Sequence, residues 1–256
     1  SGVAKSMVVQ TLRVGEVFLD AKGRSGPNPF TDKRVRQAMN YGVNVDAILK
    51  NIVGGRGDRT AAALSPLHFG YDPAIKPYPY DPELAKRLLA EAGYPNGFKT
   101  SHTERNIKEY VDEAISFKGM LAKVGIDLDV IIMENAAWLI IRRSPNFETM
   151  GEAAVSVPMG EPDIVLTRYL SGSLGNYAQY KNPKLDQLYR EQSQTVDVAE
   201  RKKKVVEIQR MMIEDLPFMP WAWRRNFAIH SPQVKNYYQS GSQFAGQSME
   251  QVWLDR

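Results

Sequence analysis

The segment Tyr80-Asp-Pro-Glu-Leu-Ala-Lys-Arg-Leu-Leu-Ala-Glu-Ala-Gly93 decides how this chain folds. It begins with the signals of a helix start, because Asp81 can cap free amide groups and Pro82 fits the first helical position. Gly93 stands where a helix commonly ends in the left-handed conformation. The apolar residues between these signals recur at helical spacing and predict one buried face, formed by Leu84, Ala85, Leu88, Leu89 and Ala92.

Two further segments show the same kind of helix start. Asp32-Lys-Arg-Val-Arg-Gln-Ala-Met39 begins with a capping aspartate, and Tyr180-Lys-Asn-Pro-Lys-Leu-Asp186 predicts a helix that starts at Asn182 or Pro183. The first helix has one apolar face, made by Val35, Ala38, Met39 and Gly42. These segments supply neither nucleophiles, metal ligands nor phosphate loops, so we interpret them as scaffold.

Strand and helix patterns alternate through the middle of the chain. Residues 12–19 and 98–102 predict strands, 107–125 a helix, and 126–132 a strand whose wholly apolar end suits the interior of a sheet. Strand, helix and strand in this order predict a crossover with parallel pairing. The predicted buried face of the helix is Val111, Ala114, Ile115, Met120 and Val124.

The later part is mostly helical and ends in an aromatic strand. We expect a short helix at 136–142, a strand at 147–157, and helices at 162–170 and 198–215. Residues 218–229 predict an extended segment. Trp221 and Trp223 alternate with Ala222, so we expect both rings on one face. Such a face could stack on a sugar or a peptide, but we expect core or inter-lobe packing.

Composition excludes several classes of protein. With 33 Lys and Arg against 29 Asp and Glu, the net charge of +4 is mild, and the Lys202 to Lys204 cluster lies among acidic residues, away from aromatics. Nucleic-acid binding needs a basic stripe interleaved with aromatics, so we do not expect it. No apolar run approaches the roughly 18 residues of a membrane-spanning helix. The absence of cysteine excludes disulfides and thiolate chemistry.

The residues also argue against an enzyme. His68, His102 and His230 lack metal-ligand spacing, and Ser65 and Ser156 lack the strained turn of a serine hydrolase. The glycine-rich stretch at 54–57 follows a helix rather than a strand, unlike a phosphate loop. Asp127 and Asp129 read as the polar side of an edge strand. We therefore expect no catalytic residues, no metal site and no cofactor.

Six short motifs together resemble one family across residues 12–254. They are D-x-R-V-R-Q-A at 32–38, Y-D-P-E-x-A-K-x-L-L-x-E-A-G at 80–93, L-x-x-V-G-I at 121–126, Y-x-N-P-x-L-D at 180–186, A-E-R-x-x-x-x-x-x-I-Q at 199–209 and D-x-P-x-x-P at 215–220. Each motif is weak alone, but six in this order are specific. The chain resembles the C-terminal half, or second lobe, of a periplasmic solute-binding protein of the dipeptide/oligopeptide/nickel class, which feeds ABC transporters.

The resemblance implies an α/β fold. It would be a lobe of the type II periplasmic binding protein kind, with a mixed sheet flanked by helices, incomplete relative to the full family fold because members are about twice as long. Residues 1–20 would form the hinge region between lobes and 21–225 the ligand-binding lobe. Residues 226–256 would return toward the missing first lobe.

The resemblance also implies a function in transport. The chain would be one lobe of the extracytoplasmic solute-binding component of an ABC importer, which holds a peptide-like or other small polar solute between two lobes. Its partners would be that ligand and the permease subunits. We expect a monomer, peripheral to the membrane, in the periplasm or, as a lipoprotein, outside a Gram-positive cell. The first residues, Ser1 to Lys5, lack the apolar region of a signal peptide.

The ligand contacts implied by the resemblance lie in two places. Peptide-binding relatives place an aspartate, which pairs with the peptide's ammonium group, three residues before an acidic residue and proline. Here that turn is Glu161-Pro162, and the position three residues earlier is Pro158, which supplies no anion. This departure favours a sugar, an opine, a metal chelate or another solute over a peptide as the ligand. The candidate ligand-binding residues are Trp138, Arg142, Pro158, Met159, Gly160, Glu161 and Asp163.

Other roles for these residues stay open. Arg142 with Arg143 could bind a carboxylate or be a surface pair, and Glu161 could instead cap the helix that follows it. The alternative function is a docking module that contacts a transporter or receptor without holding a solute. A concave surface near Trp138 and residues 158–163 would favour solute binding, and a convex one would favour docking.

Overall fold

A mixed sheet with helices on both faces forms the frame of the structure, a computed structural model that describes residues 4–21, 28–142, 150–152, 155–156, 160–238 and 249–255. Its strands are β1 (Lys5–Leu19), β2 (Gly57–Arg59), β3 (Phe98–Arg105), β4 (Ile126–Met133), β5 (Met150–Glu152), β6 (Val155–Ser156) and β7 (Phe218–His230). Their order is β2-β7-β1-β5-β3-β4, and β6 also pairs with β1. A separate pair joins β8 (Val234–Lys235) to β9 (Trp253–Leu254).

The helices start where the capping signals predict. They are α1 (Lys33–Gly42), α2 (Val45–Asn51), α3 (Pro82–Glu91), α4 (Lys108–Leu121), α5 (Asn135–Ile141), α6 (Asp163–Leu166), α7 (Pro183–Gln194) and α8 (Val198–Asp215). The side chains of Asp32, Asp81 and Asn182 each accept a bond from an amide in the first turn, which confirms the three predicted starts. No helix in the described part of the chain has the length and apolarity needed to cross a membrane.

Two buried cores lie on opposite faces of the sheet. The first core packs apolar residues of α1, α2, α3 and α4 against the sheet and includes Trp221. The second core packs α6, α7 and α8 against the other face and includes Trp223. The prediction that both tryptophans are core residues is confirmed, but the prediction that they share a face is wrong.

A β-bulge separates the two tryptophans. Along the pairing of β1 with β7, Gly15 lies opposite Ala222 and Glu16 lies opposite Pro220, so Trp221 is the extra residue. The extra residue reverses the alternation of side chains and sends Trp223 to the second core. A Cβ atom on Gly15 would lie 2.9 Å from Cε2 of Trp221, so glycine makes room for the indole.

The β3–α4–β4 crossover is parallel, as predicted, but its burial differs from the prediction. Ile131 and Ile132 of β4 are exposed, because β4 is an edge strand and β5 takes the interior position beside β3. The exposed side of β4 carries Asp127, as the edge-strand interpretation indicates. In α4, Ile115 is exposed rather than buried, because Arg224 of β7 draws Glu113 inward over 2.6 Å.

The three motif helices are tied together through backbone groups. Arg34 of α1 donates to the carbonyl of Glu91 over 2.8 Å, and the amide of Asp81 donates to the carbonyl of Tyr41 over 2.9 Å. These bonds hold α1 and α3 side by side. Arg36 of α1 is buried and donates from Nε to the carbonyl of Asp215, at the end of α8, over 2.7 Å.

The third motif meets the same residue through its side chain. The Tyr180 hydroxyl donates to Oδ2 of Asp215, and Nδ2 of Asn182 donates to the same oxygen over 3.2 Å. Burial raises the pKa of Tyr180, so its hydroxyl keeps the proton that it donates. Asp215 therefore joins the ends of α1, α7 and α8 just before β7 begins.

The connection between α2 and α3 packs against β7 and holds a buried histidine. The Ser65 amide donates to Nδ1 of His68 over 3.0 Å, so the neutral ring carries its proton on Nε2. The ring packs against Trp223, with 5.7 Å between centroids. Burial lowers the pKa of His68 to about 4, because the charged ring would lose its hydration.

We expect Gly15→Ala to lower the free energy of unfolding by about 1–3 kcal/mol, because the new methyl group overlaps the Trp221 ring. Gly119→Ala is the matched control, since a Cβ on this exposed residue of α4 meets no atom within 4 Å. The control should raise the free energy of unfolding by about 0.5–1 kcal/mol. Urea denaturation measures both, and equal values for the two variants would refute the bulge argument.

We expect Asp215→Ala to lower the free energy of unfolding by about 1–3 kcal/mol, because it removes the acceptor of Tyr180 and Asn182. Glu214→Ala, one residue earlier, removes only an exposed contact with Lys33 and should change stability by about 0.5 kcal/mol or less. Thermal and urea unfolding provide the measurement. A similar loss in both variants would mean that the Asp215 bonds do not hold these helices.

We expect the stability of the protein to depend on His68 between pH 6.5 and pH 4. In the unfolded chain His68 gains a proton near pH 6.5, whereas the folded ring resists protonation until about pH 4. The contribution of neutral His68 to the free energy of unfolding is therefore fully present above pH 6.5 and falls as the pH decreases. Urea midpoints from pH 7 to 4.5 should fall more steeply for the parent chain than for His68→Gln. If the urea midpoints of the two proteins fall equally with pH, the lowered pKa of His68 is contradicted.

Candidate ligand-binding site

One end of the sheet gathers the carboxyl ends of several strands. Strand β3 runs parallel to β4 and β5, and β6 continues along β1 until Ser156 lies beside Arg13. Beyond this point residues 5–10 of β1 and 225–230 of β7 continue as a paired ribbon. We call this the ribbon end of the sheet. Ligands of open α/β sheets bind beyond the carboxyl ends of the parallel strands, so this end is the candidate site.

Arginines and aromatic rings alternate at the ribbon end. We call them the arginine–aromatic stack: Arg13, Tyr110, Arg105, Trp138, Arg142 and Tyr177. Arg105 lies 4.3 Å from the Tyr110 ring centroid and 4.5 Å from that of Trp138. The guanidinium group of Arg142 also contacts the Trp138 ring, 4.5 Å from its centroid, and it lies 4.7 Å from the Tyr177 ring centroid. Arg13 reaches the Tyr110 ring at 5.4 Å, which links β1 to the stack.

Local structure positions the stack. Arg105 is the last residue of β3, and α5 begins directly after β4, so Trp138 folds back over the end of β3. Its Nε1 donates to the carbonyl of Thr103 over 3.3 Å. Arg142 follows Trp138 by four residues and therefore lies on the same side of the helix.

The chemistry available here is recognition of anions. A guanidinium group that lies over an aromatic ring keeps its charge and its in-plane N–H donors, which match the two oxygens of a carboxylate. Arg105 and Arg142 are partly exposed at the ribbon end. Oε1 of the buried Glu104 lies 3.8 Å from Nε of Arg105.

Two of the candidate residues from the sequence belong to this stack. Arg142 is partly exposed, as a ligand contact requires. Trp138 is fully buried, so in this structure it holds two guanidinium groups and does not offer an open ring face. Direct contact of either residue with a ligand stays a prediction.

The other candidates lie in the segment that follows β6. Arg201 of α8 donates to Glu161, and Gln192 of α7 donates to Oδ1 of Asp163 over 2.6 Å. The Glu161 side chain therefore pairs with α8, and α6 begins after Pro162 without a side-chain cap, so the capping interpretation is wrong. Pro158 and Met159 lie outside the described residues, and the contacts named here do not connect Glu161 or Asp163 to the stack.

Gly160 packs against the connection that holds His68. Its carbonyl accepts a bond from the amide of Phe69 over 2.7 Å, and a Cβ atom would lie 2.2 Å from the carbonyl oxygen of Leu67. Only glycine fits this contact. Gly160 therefore has a structural role, because it lets the segment after β6 pack closely against the connection between α2 and α3.

Two cavities adjoin the ribbon end. A cavity of about 450 Å³ lies under the connection between β2 and α3, with Trp223 and Arg225 in its wall. A smaller one of about 160 Å³ lies on the other side of β7, between Arg13, Arg56 and Phe227. Within the described ranges, no group of three or more His, Cys, Asp or Glu side chains could hold a metal ion. Trp138 and residues 160–163 line neither cavity. A concave ligand surface at these residues therefore stays a prediction.

Sequence reasoning missed Arg13, Arg105 and Tyr110. A usable signal was present, since Arg105 lies three residues after the predicted strand 98–102 and Tyr110 lies in the first turn of the predicted helix 107–125. Strand ends of this kind are common ligand positions. Tyr177 gave no such signal, because it comes from a loop that only the tertiary fold brings near Arg142.

Comparison with known proteins identifies the family. The model described as "Bacterial extracellular solute-binding proteins, family 5 Middle" matches residues 5–177. Heme-binding protein A of Haemophilus influenzae is 35% identical over 224 residues, which cover 83% of this chain and 40% of that protein. The glutathione-binding protein GsiB of Escherichia coli is 28% identical over 225 residues, which cover 82% of this chain and 43% of GsiB.

The fold is shared with solved structures of the same kind. The ABC transporter-associated periplasmic binding protein DppA from Helicobacter pylori, in complex with the peptide STSA, superimposes with a TM-score of 0.83 at 27% identity. The match covers 98% of this chain and 49% of that one, so this chain spans less than half the length of each of these relatives. The predicted lobe, a mixed sheet flanked by helices, is confirmed. Because the family model matches more than half of its residues, the chain belongs to the bacterial extracellular solute-binding proteins of family 5.

Proposed function

We propose that this chain is one lobe of the solute-binding component of an ABC importer and that it binds a small solute through a carboxylate. The observation that carries this proposal is the arginine–aromatic stack at the ribbon end of the sheet, where Arg105 and Arg142 each lie 4.5 Å from the Trp138 ring. Membership of family 5 and the transporter-associated relative support the importer role.

The ribbon supports an arrangement of two lobes. Its apolar side chains are exposed: Val8 by 58%, Phe227 by 49% and Ile229 by 66%. Val8 pairs directly with Phe227, so both lie on one face of the ribbon. Such a face suits contact with another part of a longer polypeptide. We therefore propose residues 1–20 as the hinge region, 21–225 as the ligand-binding lobe and 226–256 as the return toward the first lobe.

A carboxylate is the group shared by the ligands that the relatives' names give. Peptides, glutathione and heme all carry at least one carboxylate. A planar guanidinium binds such a group through two parallel N–H bonds, which are stronger than bonds between neutral groups. Pro158 in place of an aspartate disfavours recognition of a free ammonium group, so we propose that the solute is held mainly by its anionic end.

Capture would be non-covalent and would depend on closure. Each lobe alone offers an open wall, and closing the second lobe would exclude water and strengthen the arginine–carboxylate bonds. The relatives named above are binding proteins rather than enzymes, and we propose no catalytic role for this chain. The docking alternative, in which the chain holds no solute, is not favoured by these relatives.

The remaining parts of the proposal concern place and partners. Proteins of this family are extracellular, and we place this chain outside the cytoplasmic membrane, in the periplasm or anchored as a lipoprotein. It would deliver solute to the permease subunits while remaining monomeric and peripheral to the membrane.

We expect the double variant Arg105→Gln/Arg142→Gln to weaken binding of a carboxylate-bearing probe at least tenfold, because a charged hydrogen-bonding partner is lost. The probes are the tripeptide Ala-Ala-Ala, glutathione, and Ala-Ala-Ala with an amidated C-terminus. Isothermal titration calorimetry is run on this chain and on the longer polypeptide that supplies both lobes. The amidated peptide should bind equally weakly to the variant and the parent.

Arg87→Gln is the control, because Arg87 is an exposed arginine on α3, a helix of the first core that contributes no residue to the stack. Its probe affinities should match those of the parent. If no carboxylate probe binds the two-lobed polypeptide, or if the double variant binds as the parent does, the proposed recognition is wrong. If this chain alone binds as tightly as the longer polypeptide, the two-lobe clamp is wrong.

A further inference from the structure

The small cavity beside β7 has an unusual concentration of arginines. Its volume is about 160 Å³, and its wall contains Arg13, Arg56, Arg224 and Arg225 with Glu109 as the acidic residue. It adjoins the arginine–aromatic stack, because Arg13 lines the cavity and also lies over the Tyr110 ring. The cavity is nevertheless distinct from the stack, since Arg105 and Arg142 are not in its wall.

Two of these arginines are paired with carboxylates of the chain itself. Arg224 is buried and donates from Nη2 to both oxygens of Glu113, at 2.6 and 2.7 Å, and from Nη1 to Glu109 at 2.8 Å. Arg225 pairs with both oxygens of Asp58. Their charges are therefore largely balanced, and they form the rigid wall of the cavity.

Arg56 differs from both of them. It is exposed, its Nε donates to the carbonyl of Val53 over 2.9 Å, and its guanidinium lies 5.1 Å from the Phe227 ring centroid. Among the described residues it has no carboxylate partner. The N–H groups on its Nη atoms can therefore donate to a ligand, while the Val53 carbonyl and the Phe227 ring hold the side chain in place.

The backbone also holds Arg56 at this position. Its carbonyl accepts a bond from the amide of Arg225 over 3.0 Å, which attaches the start of β2 to β7. Gly54 and Gly55, immediately before it, adopt the left-handed conformation, with φ of 64° and 75°. This tight turn brings Arg56 to the base of the ribbon. A chain that continued the α2 helix would not reach this position.

We infer that this cavity is a second anion subsite, so that the preferred solute carries two anionic groups. One carboxylate would lie at the arginine–aromatic stack and the second would accept bonds from Arg56 at the base of the ribbon. This inference rests on the proposed function and specifies its substrate class. Glutathione and heme, which relatives are named for, are dicarboxylates of this kind.

Asn226 adds an uncharged polar residue to the wall of this cavity. The volume admits one carboxylate but not a whole peptide or porphyrin, so the remainder of the solute would lie outside it, toward the stack.

The test compares two probes that differ only in one charge. Ala-Ala-Glu and Ala-Ala-Gln have the same length and the same terminal groups, and the calorimetric titration uses the two-lobed polypeptide. The parent should bind Ala-Ala-Glu about tenfold more tightly. Arg56→Ala should abolish this preference and leave the affinity for Ala-Ala-Gln unchanged, while Arg56→Lys should retain part of it, because it keeps the charge and loses the planar fork.

Arg87→Ala is the matched control, since it removes an exposed arginine from α3, and it should keep the full preference. Equal affinity of the parent for the two peptides would overturn the second subsite, as would an Arg56→Ala variant that weakens both peptides alike. These outcomes leave the proposed function in place, because a carboxylate probe still binds. Failure of both peptides to bind would overturn the proposed function and the subsite together.

Discussion

The hydrogen bonds that converge on Asp215 are the constraint on which the rest of the structure depends. Arg36 holds the Asp215 carbonyl, while Tyr180 and Asn182 hold its carboxylate. The starts of α1 and α7 and the end of α8, which come from distant parts of the chain, thereby meet at one point immediately before β7. The Leu19 amide donates to the Pro217 carbonyl over 3.0 Å, so the same point also sets where β1 and β7 begin to pair.

The pairing of β1 with β7 carries this constraint to the candidate site. The bulge at Trp221 turns Trp223 to the second core and Arg224 toward Glu113, so α4 is fixed against β7. With α4 in place, the Tyr110 ring lies between Arg13 and Arg105. Positive charge at the ribbon end is thus supported by aromatic faces. Contact with an aromatic face offsets part of the solvation that a guanidinium group loses on partial burial.

Much of the fold could be predicted from local signals. The caps at Asp32, Asp81 and Asn182 and the β3–α4–β4 crossover all appear where the sequence places them. The errors concern which face of a helix or strand is buried, not whether a segment is a helix or a strand. The predicted buried face of α4 includes Ile115, which is exposed, and lacks Glu113, which is buried because it pairs with Arg224, 111 residues away in sequence. Of the arginine–aromatic stack, the sequence analysis names Trp138 and Arg142 as candidates but not Arg13, Arg105 or Tyr110.

The sequence by itself determined the helices, the parallel crossover and the family, because caps, periodicity and motif order depend on residues close together in the chain. Only the tertiary structure decided which strand lies at the edge, which side of β7 each tryptophan faces and which arginines meet. A bulge reverses every side chain beyond it, and cation–π contacts join residues from separate elements. Neither leaves a local pattern in the sequence, because each depends on the register of strands that are about 200 residues apart.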